Sequence, residues 1–223
     1  MDNAPENLAD DDRYFTHLAA AFVRGSLNLP PNDTRPTATL IQEGVAAGLR
    51  LHKFKRQTAL PRVQKVLGLL RGLQPENLLD TGSGRGTFLW PLVAEFPALP
   101  ITAIDTNPLR VENLEAVRRG GISNLTALEM DAHDLEFAPQ EFDVVTLLEV
   151  LEHLPAPPQA AREAVRVARR FVIVSVPSQP DDNPEHTNLF TSNSLTALFK
   201  DAGARQVKLQ QVLNHFIAVV GKR

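Results

Sequence analysis

Two hydrophobic rhythms divide the chain. Through the first 72 residues apolar positions recur at helical spacing. The run Tyr14–Val23 reads as one helix, with Asp12 placed to cap it. Leu29-Pro30-Pro31-Asn32-Asp33 breaks that pattern. A second helix is expected over roughly Ala38–Leu51. A third begins near Pro61 and sets Val63, Val66, Leu67 and Leu70 along one face. From Asn77 short apolar runs alternate with helix-length segments. The runs Asn77–Asp80, Ile101–Asp105, Leu125–Met130, Phe142–Leu148 and Arg170–Val176 read as strands. Helices are expected at Gly86–Phe96, Pro108–Arg119, Pro158–Ala168 and Thr191–Ala202. This alternation predicts a parallel sheet with helices on both faces. The last two runs, Gln206–Val212 and His215–Val220, are separated only by Leu213 and Asn214, which predicts an antiparallel hairpin.

Composition narrows the chemistry. The 223 residues contain no cysteine, which excludes disulfide scaffolds, thiolate metal sites and thiol catalysis. The net charge of -3 makes no global demand for nucleic acid or an anionic membrane. No apolar run approaches a membrane span, and the acidic start lacks a signal-peptide layout, so a soluble cytoplasmic protein is expected. Charge is nevertheless uneven. Residues 1–49 hold seven acids and three arginines, whereas residues 50–71 hold seven bases and no acid. Such a basic stretch is either a solvated helix face paired with the acidic segment or a patch for an anionic substrate.

The segment Leu78-Leu79-Asp80-Thr81-Gly82-Ser83-Gly84-Arg85-Gly86-Thr87 carries the strongest chemical signal. A strand ends in a carboxylate, and a glycine-rich turn then leads into a helix. Glycines let the backbone approach a ligand at the carboxyl edge of the sheet. The next strand ends at Asp105, where an acid reaches ribose hydroxyls. A dinucleotide fingerprint would require a glycine where Thr87 stands. Asp80 is unfavourable for pyrophosphate and suits a cationic or zwitterionic ligand. No P-loop pattern is present.

These residues resemble the first motif of class I S-adenosylmethionine-dependent methyltransferases. Three further segments follow in that family's order: Ile101–Asp105, Glu129-Met130-Asp131-Ala132 and Phe142–Glu149. The resemblance covers roughly Asn77–Arg223. It implies an α/β, Rossmann-like three-layer sandwich with a seven-stranded, mostly parallel sheet of order 3-2-1-4-5-7-6, the last strand antiparallel. Residues 73–223 would form the S-adenosylmethionine-binding domain, and residues 1–72 an N-terminal helical cap that selects the acceptor. The implied cofactor residues are Asp80, Gly82, Ser83, Gly84 and Gly86, then Asp105 and Thr106 at the ribose, Asp131 and Ala132 at the adenine, and Leu148.

Glu149, Glu152 and His153 form an E-x-x-E-H element that a helical turn would set on one side. It resembles an element of two groups: the polyprenyl-catechol O-methyltransferases of ubiquinone synthesis and the small-RNA 3′-terminal 2′-O-methyltransferases. The resemblance implies a divalent metal, Mg or Mn, on Glu149, Glu152 and His153, with His186 as the later histidine. Equally, Glu149 would lie near the methionine part of the cofactor, Glu152 would be solvated and His153 would cap a turn. His153 or His186 could also act as general base, with Glu149 beside them. Pro177–Thr191 is expected to be a substrate-facing loop. His17, His133 and His215 are read as ordinary polar residues. The expected activity is methyl transfer to a small-molecule O or N acceptor. The alternatives are a metal-assisted RNA 3′-end methyltransferase using the basic stretch, and a non-catalytic binding module.

Overall fold

Residues of the central strands point alternately to two separate cores, and this alternation sets the layers. The computed structural model describes residues 13–56, 60–180 and 182–222. Seven strands form one sheet: β1 (Leu78–Thr81), β2 (Ile101–Asp105), β3 (Leu125–Glu129), β4 (Phe142–Leu148), β5 (Ala168–Pro177), β6 (Gln206–Val212) and β7 (His215–Gly221). Their order is β3-β2-β1-β4-β5-β7-β6. β7 runs antiparallel to both neighbours, and the other described pairings are parallel. Leu78, Ile101, Val144 and Ile173 face one core, while Leu79, Ile104, Val145 and Val174 face the other.

The helices are α1 (Thr16–Ser26), α2 (Thr37–Ala46), α3 (Pro61–Leu73), α4 (Leu89–Glu95), α5 (Pro108–Arg119), α6 (Pro157–Val167) and α7 (Ser192–Asp201). Helices α1 to α5 contribute to the first core, and α6 and α7 to the second. On α3 the face expected to be apolar, Val63, Val66, Leu67 and Leu70, is buried. α5 starts on Asn107, whose side chain accepts the Leu109 and Arg110 amides before Pro108 opens the first turn.

Several boundaries differ from expectation for local reasons. Asp12, the expected cap of the first helix, lies outside the described residues; α1 begins at Thr16 with no side-chain cap. The second helix stops at Ala46 rather than Leu51. Gly48 at φ 80° ends it, with Gly48 N–H bonded to Val45 O and Leu49 N–H to Gly44 O. That is a Schellman stop, which a left-handed glycine permits at low cost. A short 3₁₀ turn at His52–Phe54 follows. α4 starts three residues later than expected, because Gly86, Thr87 and Phe88 still belong to the turn after β1. Ala168 belongs to β5 rather than α6, since it already pairs with Phe142.

The N-terminal helices are joined closely to the sheet helices. α1 crosses α5 so tightly that a Cβ on Gly25 would lie 1.8 Å from Ala116 O, and one on Gly120 would lie 1.7 Å from Ala21 O. Arg24 Nη1 also donates to Gly120 O at 3.0 Å. Residues 52–56 are tied back to residues 13–15 by Phe15 N–H to Phe54 O and Arg56 N–H to Arg13 O. Phe54 sits between the rings of Phe22 and Trp90. This route carries the chain from α1 to the start of α3, at the carboxyl edge of the sheet. Among the described residues no helix is long and apolar enough to cross a membrane.

Candidate functional site

After β1 the chain turns through Gly82, Gly84 and Gly86, all at positive φ (68°, 59° and 85°). At Gly86 the reason is packing: a Cβ there would lie 2.2 Å from the Trp90 indole. At Gly84 the side where a Cβ would stand is nearly open, so its backbone can be approached by a ligand. Asp105, at the end of β2, anchors the loop. Its Oδ2 accepts Gly84 N–H at 2.8 Å, its Oδ1 accepts Asn107 N–H at 2.9 Å, and Arg110 Nη1 lies 3.3 Å away.

Two chambers open along this edge. The larger, about 620 Å³, is bordered by Gly82, Gly84, Asp105, Thr106, Met130, Asp131, Ala132 and His153. The smaller, about 170 Å³, is bordered by Arg62, Asp80, Ser83, Phe88, Leu148 and Ser175. Gly82, Gly84 and Glu149 border both. In the smaller chamber Asp80 is buried, and Thr146 Oγ1 donates to its Oδ1 at 2.7 Å. Burial pushes the Asp80 carboxyl up to about 6, against the opposing hydrogen bonds of Thr146 and Ser83. A buried carboxylate of this kind is stabilised by a cationic ligand group. In the larger chamber the His133 N–H and ring hold Asp131 below the usual carboxylate range.

Glu149 stands where the chambers meet. It follows β4 with a left-handed φ of 59°, a conformation that costs a non-glycine residue about 1–2 kcal/mol. Its amide is held by Ser175 O. Its carboxylate accepts Ser175 Oγ–H at 2.6 Å and lies 3.1 Å from His215 Nε2 and 3.7 Å from Arg62 Nε. β5, β7 and the first turn of α3 thus converge on one carboxylate.

A second cluster lies one turn further along. Glu152, His153 and His186 bring potential ligand atoms within 4.8 Å of one another. Glu152 is buried, and the two imidazoles stack edge to face with centroids 4.7 Å apart. The loop after β5 folds back here. Thr187 and Asn188 donate their amides to Glu152 O, and His153 Nδ1 meets Glu185 O at 3.1 Å.

Residues 79–174 match the family model for a methyltransferase domain. Among curated proteins, the ubiquinone biosynthesis O-methyltransferase of Sodalis glossinidius is 31% identical over 110 residues, 48% of this chain and 43% of that protein. The Vibrio cholerae protein of the same name is 30% identical, over 48% of this chain and 44% of that one. The chain spans less than half the length of the curated relatives it matches. Among solved structures, an O-methyltransferase family protein from Burkholderia thailandensis superposes with a TM-score of 0.61 at 17% identity, covering 82% of this chain and 60% of that one. The N-terminal domain of EvdMO1 with SAH bound superposes at 0.56 and 16% identity, over 74% and 82% of the two chains. Residues 79–174 are thus similar to a methyltransferase domain.

Within this matched span most expected cofactor residues border one of the two chambers: Gly82, Gly84, Asp105, Thr106, Asp131 and Ala132 the larger, Asp80, Ser83 and Leu148 the smaller. Gly86 borders neither chamber; it lies beneath the Trp90 indole. Of the four residues expected to share a metal, Glu152, His153 and His186 come together. Glu149 does not join them, because its left-handed turn aims it at Ser175 and His215. His215, read from sequence as an ordinary polar residue, is a partner of Glu149. Arg62 and Ser175 also reach this carboxylate without having been singled out. His215 opens β7 beside the end of β5, pairing with Pro177, so sheet topology was the only signal that could have found it. Asp181, in the expected substrate loop, lies outside the described residues, whereas Glu185 from the same loop borders the larger chamber.

Proposed function

We propose that the protein transfers the methyl group of S-adenosylmethionine to a hydroxyl oxygen of a small-molecule acceptor. The observation that carries this reading is Glu149, a carboxylate on a left-handed backbone, held by three partners where the two chambers meet. The O-methyltransferase names of the curated relatives support oxygen as the acceptor atom.

The donor would supply an electrophilic sulfonium methyl. Asp105 and Thr106 would face its ribose, and Asp131 and Ala132 its adenine. Asp80, in the smaller chamber, would balance the positive charge of its amino-acid end. The open side of Gly84 fits close approach of such a ligand. Most of the rate would come from holding acceptor oxygen, methyl and sulfur in line. As the C–O bond forms and the C–S bond breaks, the hydroxyl proton has to leave the acceptor. Glu149 Oε2 would receive it, with His215 sharing that proton and Arg62 steadying the carboxylate. The first turn of α3 walls the smaller chamber through Arg62 and Val63, next to the Glu149 junction where the acceptor would lie.

Calorimetry of the full chain with S-adenosylmethionine, S-adenosylhomocysteine and NAD tests the reading. Binding of the first two and not of NAD is expected, and Asp105→Ala should weaken it about tenfold or more. Binding of NAD alone would overturn it.

The second cluster favours a divalent metal as a further component. One buried carboxylate and two imidazoles suit Mn²⁺ or a similar ion. Glu152, His153 and His186 would hold it, and the ion would act as a Lewis acid toward the acceptor hydroxyl. Manganese binding followed by electron paramagnetic resonance should disappear in the His153→Ala/His186→Ala variant. A spectrum of free aqueous ion with the unaltered protein would sink this component.

A further inference from the structure

Apart from Arg62, the basic stretch noted in the sequence is not used by the chemistry above. Part of it lines a groove of about 400 Å³ on the far side of the glycine loop, bordered by Arg50, His52, Lys53, Arg85, Asn107 and Arg110 among others. None of its lining residues is an acid. Arg110 pairs with Asp105, outside that lining. Arg50 and Arg85 are exposed and have no ion-pair partner among the described residues. Lys53 is half-buried: its ammonium donates to Asn113 Oδ1 at 2.8 Å and lies 4.0 Å from the centroid of the Phe22 ring. Burial lowers its pKa to about 8, a sign of a cation without a compensating anion. A second cavity of about 240 Å³ adjoins, sharing His52, Lys53, Arg85 and Trp90. Gly84 and Arg85 border both the groove and the smaller chamber of the candidate site.

We propose that this groove binds the diphosphate or phosphate-ester group of a small ligand, beside the cofactor cleft, with which it shares Gly84, Arg85 and Arg110. Two unpaired guanidinium groups, Arg50 and Arg85, and an ammonium around one concavity, with Arg110 shared with Asp105, match a multiply charged oxyanion better than a single carboxylate. Guanidinium forks pair with phosphate oxygens in two-point fashion, and the half-buried Lys53 adds a charge screened less than a surface one. The groove would fix a charged group next to the loop through which Gly84 faces the cofactor.

The test is calorimetric titration of the full chain with pyrophosphate at low ionic strength. Saturable binding at one site is expected, weakening as salt is added. Arg50→Gln and Arg85→Gln should each weaken it about tenfold, the loss typical of one charge-assisted contact. Both side chains are exposed, so folding should survive, and circular dichroism checks this. Arg71→Gln, at the other end of the sheet and paired with Glu95, should leave binding unchanged. Three results would overturn the proposal. One is no saturable binding. Another is binding indifferent to Arg50 and Arg85. The third is a single-stranded RNA oligonucleotide that binds through these arginines more tightly than pyrophosphate, which would make the groove a nucleic-acid surface.

Discussion

Glu149 Oε2 and His215 Nε2 lie 3.1 Å apart, although 66 residues separate them in the chain. The contact exists because β7 returns antiparallel beside β5 and delivers His215 to the carboxyl edge where β4 ends. If Glu149 accepts the acceptor proton, Glu149→Gln should slow the methyl-transfer step by about 10²-fold or more. His215→Ala should slow it less, since Ser175 and Arg62 still hold the carboxylate. Single-turnover measurements at saturating donor check this. Equal rates in Glu149→Gln and the unaltered protein would remove Glu149 from the chemistry.

Asp80 predicts a pH dependence of the ligand-free protein. Its native pKa of about 6 lies above the usual 3.8, so between these values the folded state binds more protons than the unfolded one. Stability is therefore greatest below about pH 4 as far as this group is concerned, and falls as pH rises toward 6. The loss is on the order of 3 kcal/mol. Asp80→Asn should flatten that slope in denaturant titrations. It should also weaken S-adenosylhomocysteine binding near pH 7, where the carboxylate would face the ligand ammonium. A slope unchanged by Asp80→Asn would assign it to other groups.

Asp143 acts in the opposite sense. Burial would raise its carboxyl, but the Glu76 amide and the Arg170 and Arg169 guanidinia outweigh burial and hold it below the usual range. Arg170 Nη1 lies 2.7 Å from Oδ2, and Arg169 Nη2 lies 3.1 Å from Oδ1. This contribution is complete above about pH 4 and is lost as pH falls through the depressed native pKa. Asp143→Ala removes the buried acceptor of the Glu76 amide and of two partly exposed guanidinium groups and should cost about 1–3 kcal/mol. Because Asp143 sits at the amino end of β4, cofactor affinity of the folded variant should not change. Thermal melts and calorimetry on the same sample separate the two effects.

Gly25 and Gly120 predict a packing effect. Adding a methyl at either position drives it into a carbonyl of the facing helix. Gly25→Ala and Gly120→Ala should each destabilise by about 1–3 kcal/mol, with α1 pushed away from α5. Gly48→Ala meets no neighbouring atom; its cost, about 1 kcal/mol, comes only from the left-handed backbone. Chemical denaturation of the three variants should preserve this order.

The sheet was legible because its signals are local. Alternating apolar runs, helix-length spacers and the Asn107-Pro108 start survive in a bare sequence, and so do the three loop glycines. The span Pro108–Arg119 is the same in sequence and structure, as are Ile101–Asp105 and Phe142–Leu148. The parts that were not legible depend on contacts between distant segments. Nothing near His215 in the chain indicates that β7 will carry it to Glu149. The E-x-x-E-H spacing suggested one constellation on a helical turn. The left-handed backbone at Glu149 splits it in two, because consecutive side chains no longer follow helical directions. The α1–α5 contact was equally hidden, since glycines inside or just after a helix look the same whether they face solvent or another backbone.

That contact also constrains the order in which the chain can become native. The apolar side of α1 is complete once residue 26 has been synthesised, yet its partner helix ends at residue 119. The bond from Arg24 to Gly120 spans 96 residues. At about 5–20 residues per second, a nascent chain carries α1 without its α5 partner for several seconds or longer. During that interval the face of α1 that carries Ala21 and Gly25 is where a chaperone, or an unwanted neighbour, would first take hold.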